Sequence, residues 1–292
     1  MRHFFRLSFA SLFLLVTTST LFSQAETDIF LVDVKDNPSG YVFENFRNIS
    51  NNVGYDNQPS FKDNNTLVYA RNNEGQNDIS VFSIAENSEV FFNSKTEGGE
   101  YSPQVLPNSN DLAAVRLDPD GKQRLYQYTK NREPKELIPD LVVAYFVPYN
   151  EDTIVGSIIE DNDLHLVVYS FKEEKFYKLL KGSGRSVHNI PETKATSYTS
   201  KNEEGNWDIY QLEMDSLESY FICQLPIGIQ DYAWLGDYKI FIGSGSQLFL
   251  YDLYGNGEWN KIADFSEYNI TNITRLAFSP DGTKLAFVAE SK

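Results

Sequence analysis

The feature that most constrains this chain is a repeat of about 44 residues that runs its whole length. Its clearest copy lies near the C-terminus, where residues 276–290 read LAFSPDGTKLAFVAE. Two apolar segments flank the tight turn Ser279-Pro280-Asp281-Gly282. Pro280 presets φ at the second turn position, and Gly282 tolerates the positive φ that follows. The flanking segments predict a hairpin of two buried strands. Aligned on the residue matching Pro280, the copies are anchored at Asp63, Pro107, Pro148, Pro191, Gly236 and Pro280, with spacings of 44, 41, 43, 45 and 44. Each anchor leads into a short strand, at 66–70, 112–115, 153–156, 196–198, 239–242 and 284–288.

A third strand follows each hairpin. Asp78-Ile79-Ser80-Val81-Phe82 matches Asp208-Ile209-Tyr210-Gln211-Leu212, and segments 125–128, 166–169 and 248–251 fill the same slot. A fourth closes each unit, at 89–92, 135–138, 175–180, 220–225 and 259–265. Four short strands every ~40–45 residues is the period of a propeller blade. The last unit lacks its third and fourth strands, since two residues follow Glu290. Segments 28–32 and 41–48 match those missing strands, so the final blade is expected to take two strands from each end of the chain. The predicted fold is therefore all-β: a six-bladed β-propeller of four-stranded antiparallel blades closed by both termini. Residues 26–292 form one such domain, at 44.5 residues per blade. Composition agrees, because 21 Phe and 18 Tyr favour strands, and no capped 3.6-period helix stands out.

Residues 1–25 read as a secretory signal peptide, with Arg2, His3 and Arg6 before an apolar run and Ser23-Gln24-Ala25 as a small-x-small cleavage site. The alternative, a membrane anchor, needs about 20 apolar residues, and this run is shorter. Without residues 1–25 the chain has 23 Lys+Arg against 41 Asp+Glu, a net charge of −18. Such a surface repels nucleic acid and anionic lipid. Cys223 is the single cysteine, which excludes an intramolecular disulfide and a multi-cysteine metal site. Its apolar strand predicts a buried, inert thiol. A secreted chain without disulfides suits a bacterial periplasm.

The SPDG-type hairpin followed by an Asp-Ile-Tyr-like strand resembles the TolB-type propeller repeat. The motifs NNEGQNDISVFSI, NEEGNWDIYQLEM and SPDGTKLAFVAE carry the resemblance, which covers residues 26–292. It extends to the propeller part of those proteins and not to their N-terminal α/β domain. It implies a periplasmic or secreted protein that binds a protein or peptide of the cell envelope, with no stable membrane span after signal cleavage. A closed ring is expected to be a monomer.

In a four-stranded blade, the loops joining strands two and three share a face with those leading to the next blade. These loops are polar and longer than the opposite turns, and long loops on a rigid scaffold commonly carry binding. Near the channel mouth, in and beside the loops that lead from one blade to the next, the residues expected are Tyr55, Asp56, Gln58, Glu100, Tyr101, Arg185, His188, Asp231, Tyr232 and Arg275. Exposed Tyr and Arg there suit protein contacts; alternatively these side chains fill the pore and touch nothing else.

Little catalytic chemistry is visible. Only His165 and His188 remain beyond residue 25, and there is no G-x-S-x-G elbow, zinc helix, P-loop or dinucleotide fingerprint. His165 is expected to be structural. Acidic turns at Asp118-Pro119-Asp120-Gly121 and Glu160-Asp161-Asn162-Asp163 offer oxygen ligands for Ca2+, but Asp and Gly are also what turns require. No cofactor is expected. Asp28, Asp78 and Asp208 recur before the third strand, which predicts a structural role accepting backbone N–H bonds. Two functions follow. One is non-enzymatic protein binding through the loop face. The other is a small-ligand or divalent-metal-dependent enzyme of the hydrolase or lactonase kind, with Glu100, Asp231 and His188 converging in the axial channel.

Overall fold

A computed structural model describes residues 26–38 and 40–291. The signal peptide expected over residues 1–25 lies outside the described residues. Among them are 24 strands in six four-stranded antiparallel sheets. The chain opens with β1 (Asp28–Asn37) and β2 (Gly40–Asn48). Blade one is β3 (Asn57–Asp63), β4 (Thr66–Asn73), β5 (Gln76–Ser83) and β6 (Ser88–Phe91). Blade two is β7 (Gly99–Val105), β8 (Leu112–Leu117), β9 (Gln123–Tyr128) and β10 (Lys135–Glu136). Blade three is β11 (Val143–Pro148), β12 (Thr153–Glu160), β13 (Asp163–Ser170) and β14 (Lys175–Lys181). Blade four is β15 (Ser183–Asn189), β16 (Ala195–Lys201), β17 (Trp207–Glu213) and β18 (Ser219–Gln224). Blade five is β19 (Ala233–Leu235), β20 (Lys239–Ser244), β21 (Gln247–Asp252) and β22 (Asn260–Asp264). Blade six orders β23 (Ile270–Phe278) and β24 (Lys284–Ser291) with the two opening strands as β2-β1-β24-β23.

The C-terminal hairpin shows why the repeat folds as it does. Gly282 N–H donates to Ser279 O at 2.8 Å, and Gly282 has φ of 69°. A side chain would strain that left-handed backbone, which explains glycine there. Asp281 Oδ1 accepts from Thr283 N–H at 3.0 Å and from the Ser279 hydroxyl at 2.6 Å, pinning the turn from inside. The strand beyond it has Leu285, Ala286, Phe287, Val288 and Ala289 wholly buried. Both of its faces are covered because it sits between neighbouring blades, which is why it reads as a continuous apolar run.

The core is divided among the junctions. Six apolar clusters occupy the six seams, each joining the middle strands of adjacent blades. Val68 and Ile79 of blade one meet Ala114 and Tyr128 of blade two. Ile209 and Cys223 of blade four meet Ile240 and Ile242 of blade five. Burial pushes the Cys223 thiol up to about 12, so it stays protonated. The only helical turn among the described residues is a 3-10 segment, Ser266–Tyr268, in the loop leading to blade six.

Ring closure follows the expected route. β1 pairs antiparallel with β24, from Asp28 opposite Ala289 to Asp33 opposite Lys284. Phe30 of β1 stacks on Phe287 of β24 at 5.7 Å, and Phe287 stacks on Phe265 from blade five at 5.4 Å. A parallel bridge from Thr27 to Tyr55 then ties the chain start to blade one.

The recurring aspartates differ from expectation in their donors. Asp78 accepts from the side-chain amides of Asn73 and Gln76, both at 2.6 Å, and Asp208 from that of Asn202 at 3.0 Å. Asp28 takes one backbone N–H, from Asn52 at 3.3 Å, beside the Asn48 amide at 2.8 Å. The backbone N–H groups nearby are committed to the β-ladder, so the loop amides are the free donors. The two acidic turns hold the protein's own cations. Asp118 pairs with Arg116 and Arg124, Asp120 with Arg124, Glu160 with Lys178 and Asp163 with Lys181.

If the N-terminal strand completes blade six, Phe30→Ala and Phe287→Ala should each cost about 3–5 kcal/mol. Urea unfolding of the two variants measures this; a near-neutral Phe30→Ala would contradict closure by β1.

Candidate functional site

The innermost strands are irregular where they pass the axis. β3 is bulged between Asn57 and Ser60, β7 between Tyr101 and Gln104, β15 between Ser183 and Val187, and β23 on either side of Thr274. A bulge frees residues from the ladder and re-aims their side chains. Pro59 and Pro103 occupy two of these bulges, where a missing N–H costs nothing. The residues so released include Gln58, Ser102, Arg185, Ser186 and Arg275. Together with Tyr145, His188, Asp231 and Tyr232 they line an axial cavity of about 60 Å³ to which all six blades contribute. Gln58, Ser102, Ser186, Asp231 and Arg275 each stand five residues before their repeat's anchor. Blade three breaks the column, with Tyr145 lining the wall two residues after Val143.

Charge is concentrated on one side of this cavity. Asp231 receives Arg185 Nε at 3.0 Å, with a second bond from Arg185 Nη2 making the pair bidentate. Arg275 Nε lies 3.1 Å from the same carboxylate, and the Ser186 hydroxyl donates to it at 3.4 Å. Burial works to raise the pKa of Asp231, but the two guanidinium groups outweigh it and hold the carboxyl below its usual range. Arg275 lies over the Tyr145 ring at 5.7 Å. His188 packs edge-on against Tyr232 at 4.7 Å, and burial drops it to about 4, so the ring is neutral near pH 7. Its Nε2 is buried and has no hydrogen-bond partner. Tyr232 donates to Ser197 Oγ at 2.8 Å, where the Trp234 indole also donates at 2.8 Å.

The remaining sequence candidates divide. Gln58 Oε1 accepts Ser102 N–H at 2.8 Å, bracing blades one and two along the wall. Tyr55 and Tyr101 meet edge-to-face at 6.2 Å; burial pushes Tyr55 up to about 12, against the nearby Arg275 charge. Two candidates leave the channel. Asp56 is fully buried at the closure seam, where its Oδ1 accepts Asn72 N–H at 3.1 Å and its N–H donates to Thr27 O at 3.0 Å. Glu100 turns into the seam between blades one and two, bonded by Thr96 and by the Tyr128 hydroxyl at 3.2 Å, beside Asp78. The convergence of Glu100, Asp231 and His188 expected for a metal-assisted enzyme is therefore not found. Alternation along β7 turns Glu100 away from the axis. Sequence reasoning missed Ser102, Gln104, Tyr145 and Ser186 on the wall. The repeat column would have found Ser102 and Ser186.

The cavity opens towards the face that carries the two-three turns and the inter-blade loops. A vestibule of about 190 Å³, formed by residues 227–231, 243–245 and 272–274, meets it at Arg185 and Asp231. On the same face Ile227 is 88% exposed and Val53 79% exposed, each at the tip of an inter-blade loop.

No protein-family model and no curated protein matches this sequence. Solved structures do match its fold. A protein assigned as TolB from Agrobacterium tumefaciens has a TM-score of 0.68 at 14% identity, covering 90% of this chain and 98% of that one. TolB from Acinetobacter baumannii gives 0.58 at 11% identity over 91% of this chain; the chain spans 64% of that protein. Oligogalacturonate lyase from Vibrio parahaemolyticus gives 0.52 at 10% identity, covering 91% and 98%. The architecture is that of the TolB-type six-bladed propeller, and an enzyme is also among the structures it resembles.

Burial, with help from Asp78, raises Glu100 to about 8. An unfolded glutamate loses its proton near pH 4–5. Folding therefore takes up a proton across the window between, and Glu100 makes stability fall as pH rises from about 5 to 8, with no further loss above. Glu100→Gln should flatten that decline and raise Tm at pH 8 by several degrees, read by thermal melts across the range. A parallel pH profile for the two proteins would exclude a raised Glu100 pKa.

Proposed function

We propose that this chain is a non-enzymatic docking module of the bacterial cell envelope, acting as a monomer in the periplasm or after secretion. It binds a protein or peptide across the face that surrounds the axial mouth. The observation that carries this reading is the build of that face. Ile227 and Val53 project from loop tips around a polar mouth where Arg185 is partly exposed. Exposed apolar side chains around a central arginine are the composition of a protein-contact patch. The likeness to TolB propellers and the signal-like sequence of residues 1–25 support the compartment. The net charge of −18 beyond residue 25 disfavours nucleic acid and anionic lipid as partners. No helix among the described residues is long and apolar enough to cross a membrane.

The rival reading, an enzyme using a divalent ion in the channel, has the oligogalacturonate lyase likeness in its favour. The residues disfavour it. Among those described, no group of three His, Cys, Asp or Glu side chains is placed to hold a metal ion. Asp231, the acid in the cavity, is engaged by two arginines.

The test is capture from envelope extracts with the purified protein as bait, compared with the double variant Val53→Glu, Ile227→Glu. Both side chains are exposed, so Tm should change little. A specific partner should be lost from the variant; equal recovery by both proteins would refute docking through this face.

A further inference from the structure

The axial cavity carries a charge imbalance that nothing within it resolves. Two guanidinium groups, Arg185 and Arg275, share the single carboxylate of Asp231. Neither the cavity nor its vestibule is lined by a second acid. Asp231 and its arginines come from blades four, five and six, so the ring holds them together whether or not anything binds. Both arginines are only partly exposed, and a cation with restricted access to water and less than a full counter-charge favours an anion from outside. The Arg275 guanidinium reaches Asp231 through Nε and has no other carboxylate partner among the described residues.

We propose that this cavity is a binding site for a single carboxylate group, held by Arg275 and Arg185 and entered from the loop face. Three further observations fit that chemistry. The net charge of the cluster is one positive unit, which a monoanion neutralises and a phosphate dianion overshoots. The cavity of about 60 Å³ takes a head group of a few atoms, and the adjoining vestibule of about 190 Å³ leaves room for what the carboxylate is attached to. The buried, unpartnered His188 Nε2 lines the same cavity; as an N–H in the neutral ring it is a donor for the second carboxylate oxygen. Planar guanidinium forks match carboxylate geometry in a way that a lysine would not. The site stands on the charge cluster alone and is independent of whether the surrounding face docks a protein. The carboxylate is carried by a small organic acid or by the C-terminus of a polypeptide.

Thermal melts of the purified protein in sodium acetate, against acetamide and against sodium chloride at equal ionic strength, test the proposal. At about ten times Kd, acetate should raise Tm by roughly 3 °C while acetamide does nothing. The rise should vanish in Arg275→Gln, which leaves the Arg185–Asp231 pair intact, and shrink in Arg185→Gln. Arg185→Gln decides the matter if Arg275→Gln does not fold. A rise equal in chloride and acetate, or an acetate rise unchanged in the variant that folds, overturns the site. Trialanine with a free and with an amidated C-terminus separates the two sources. Stabilisation by the free form alone, well above that of acetate, assigns the site to a polypeptide terminus. Equal stabilisation by acetate and free peptide assigns it to small acids. A peptide effect that survives amidation contradicts carboxylate recognition.

Discussion

The pairing of β1 with β24 is the constraint on which the rest depends. A propeller left open exposes two sheet edges, and an exposed edge is a template for association with other chains. Here six residue pairs, Asp28–Ala289 through Asp33–Lys284, join the start of the chain to its end. Phe30, Phe46, Phe265 and Phe287 bury against one another over that joint. Lys284 adds an ion pair to Asp33 at 3.1 Å. The contact is among the longest-range in the chain, so its loop-closure entropy is large and must be offset by this apolar burial. Once it forms, the blades have a fixed angular relation to the axis.

That rigidity makes the axial charge cluster possible. Arg185, Asp231 and Arg275 come from three successive blades and meet because β15 and β23 depart from regular pairing at the two arginines, while Asp231 lies in the loop just before β19. In a flexible assembly these partly exposed arginines would separate from the buried Asp231 and hydrate. In a closed ring the arginines cannot withdraw, and Asp231 stays ionised between them. The neutral His188 and the raised Glu100 show the same low-dielectric interior acting where burial outweighs the neighbouring charges, Asp231 included in the case of His188.

The two faces of the ring differ for a related reason. The tight hairpin turns, such as Ser279–Gly282, satisfy their own polar groups and leave little to offer a partner. On the opposite face the two-three connections, expected to be the longer ones, are no longer than those hairpin turns, with two residues in blades one, three and five, so it is the inter-blade loops whose tips stay free. Ile227 and Val53 sit at such tips. Binding capacity and fold stability are thereby placed on different parts of each blade.

Much of the architecture was legible in the repeat. The anchors, the strand at each of the 24 positions, the sharing of blade six between the termini and the buried Cys223 all follow from local patterns: turn residues at fixed offsets and apolar runs that must be covered on both faces. Wall residues were partly legible as a column five positions before each anchor. Which of the polar residues near the mouth face the axis was not legible. Tyr145 enters through a bulge in β11, while Glu100 and Asp56 turn into seams, and neither outcome has a signature in spacing. Sequence by itself determined the number of blades and how the ring closes, because both are sums of short-range preferences repeated six times. Only the tertiary structure decided that one aspartate would face two arginines around a shared cavity, because that depends on where bulges aim side chains from strands more than 40 residues apart.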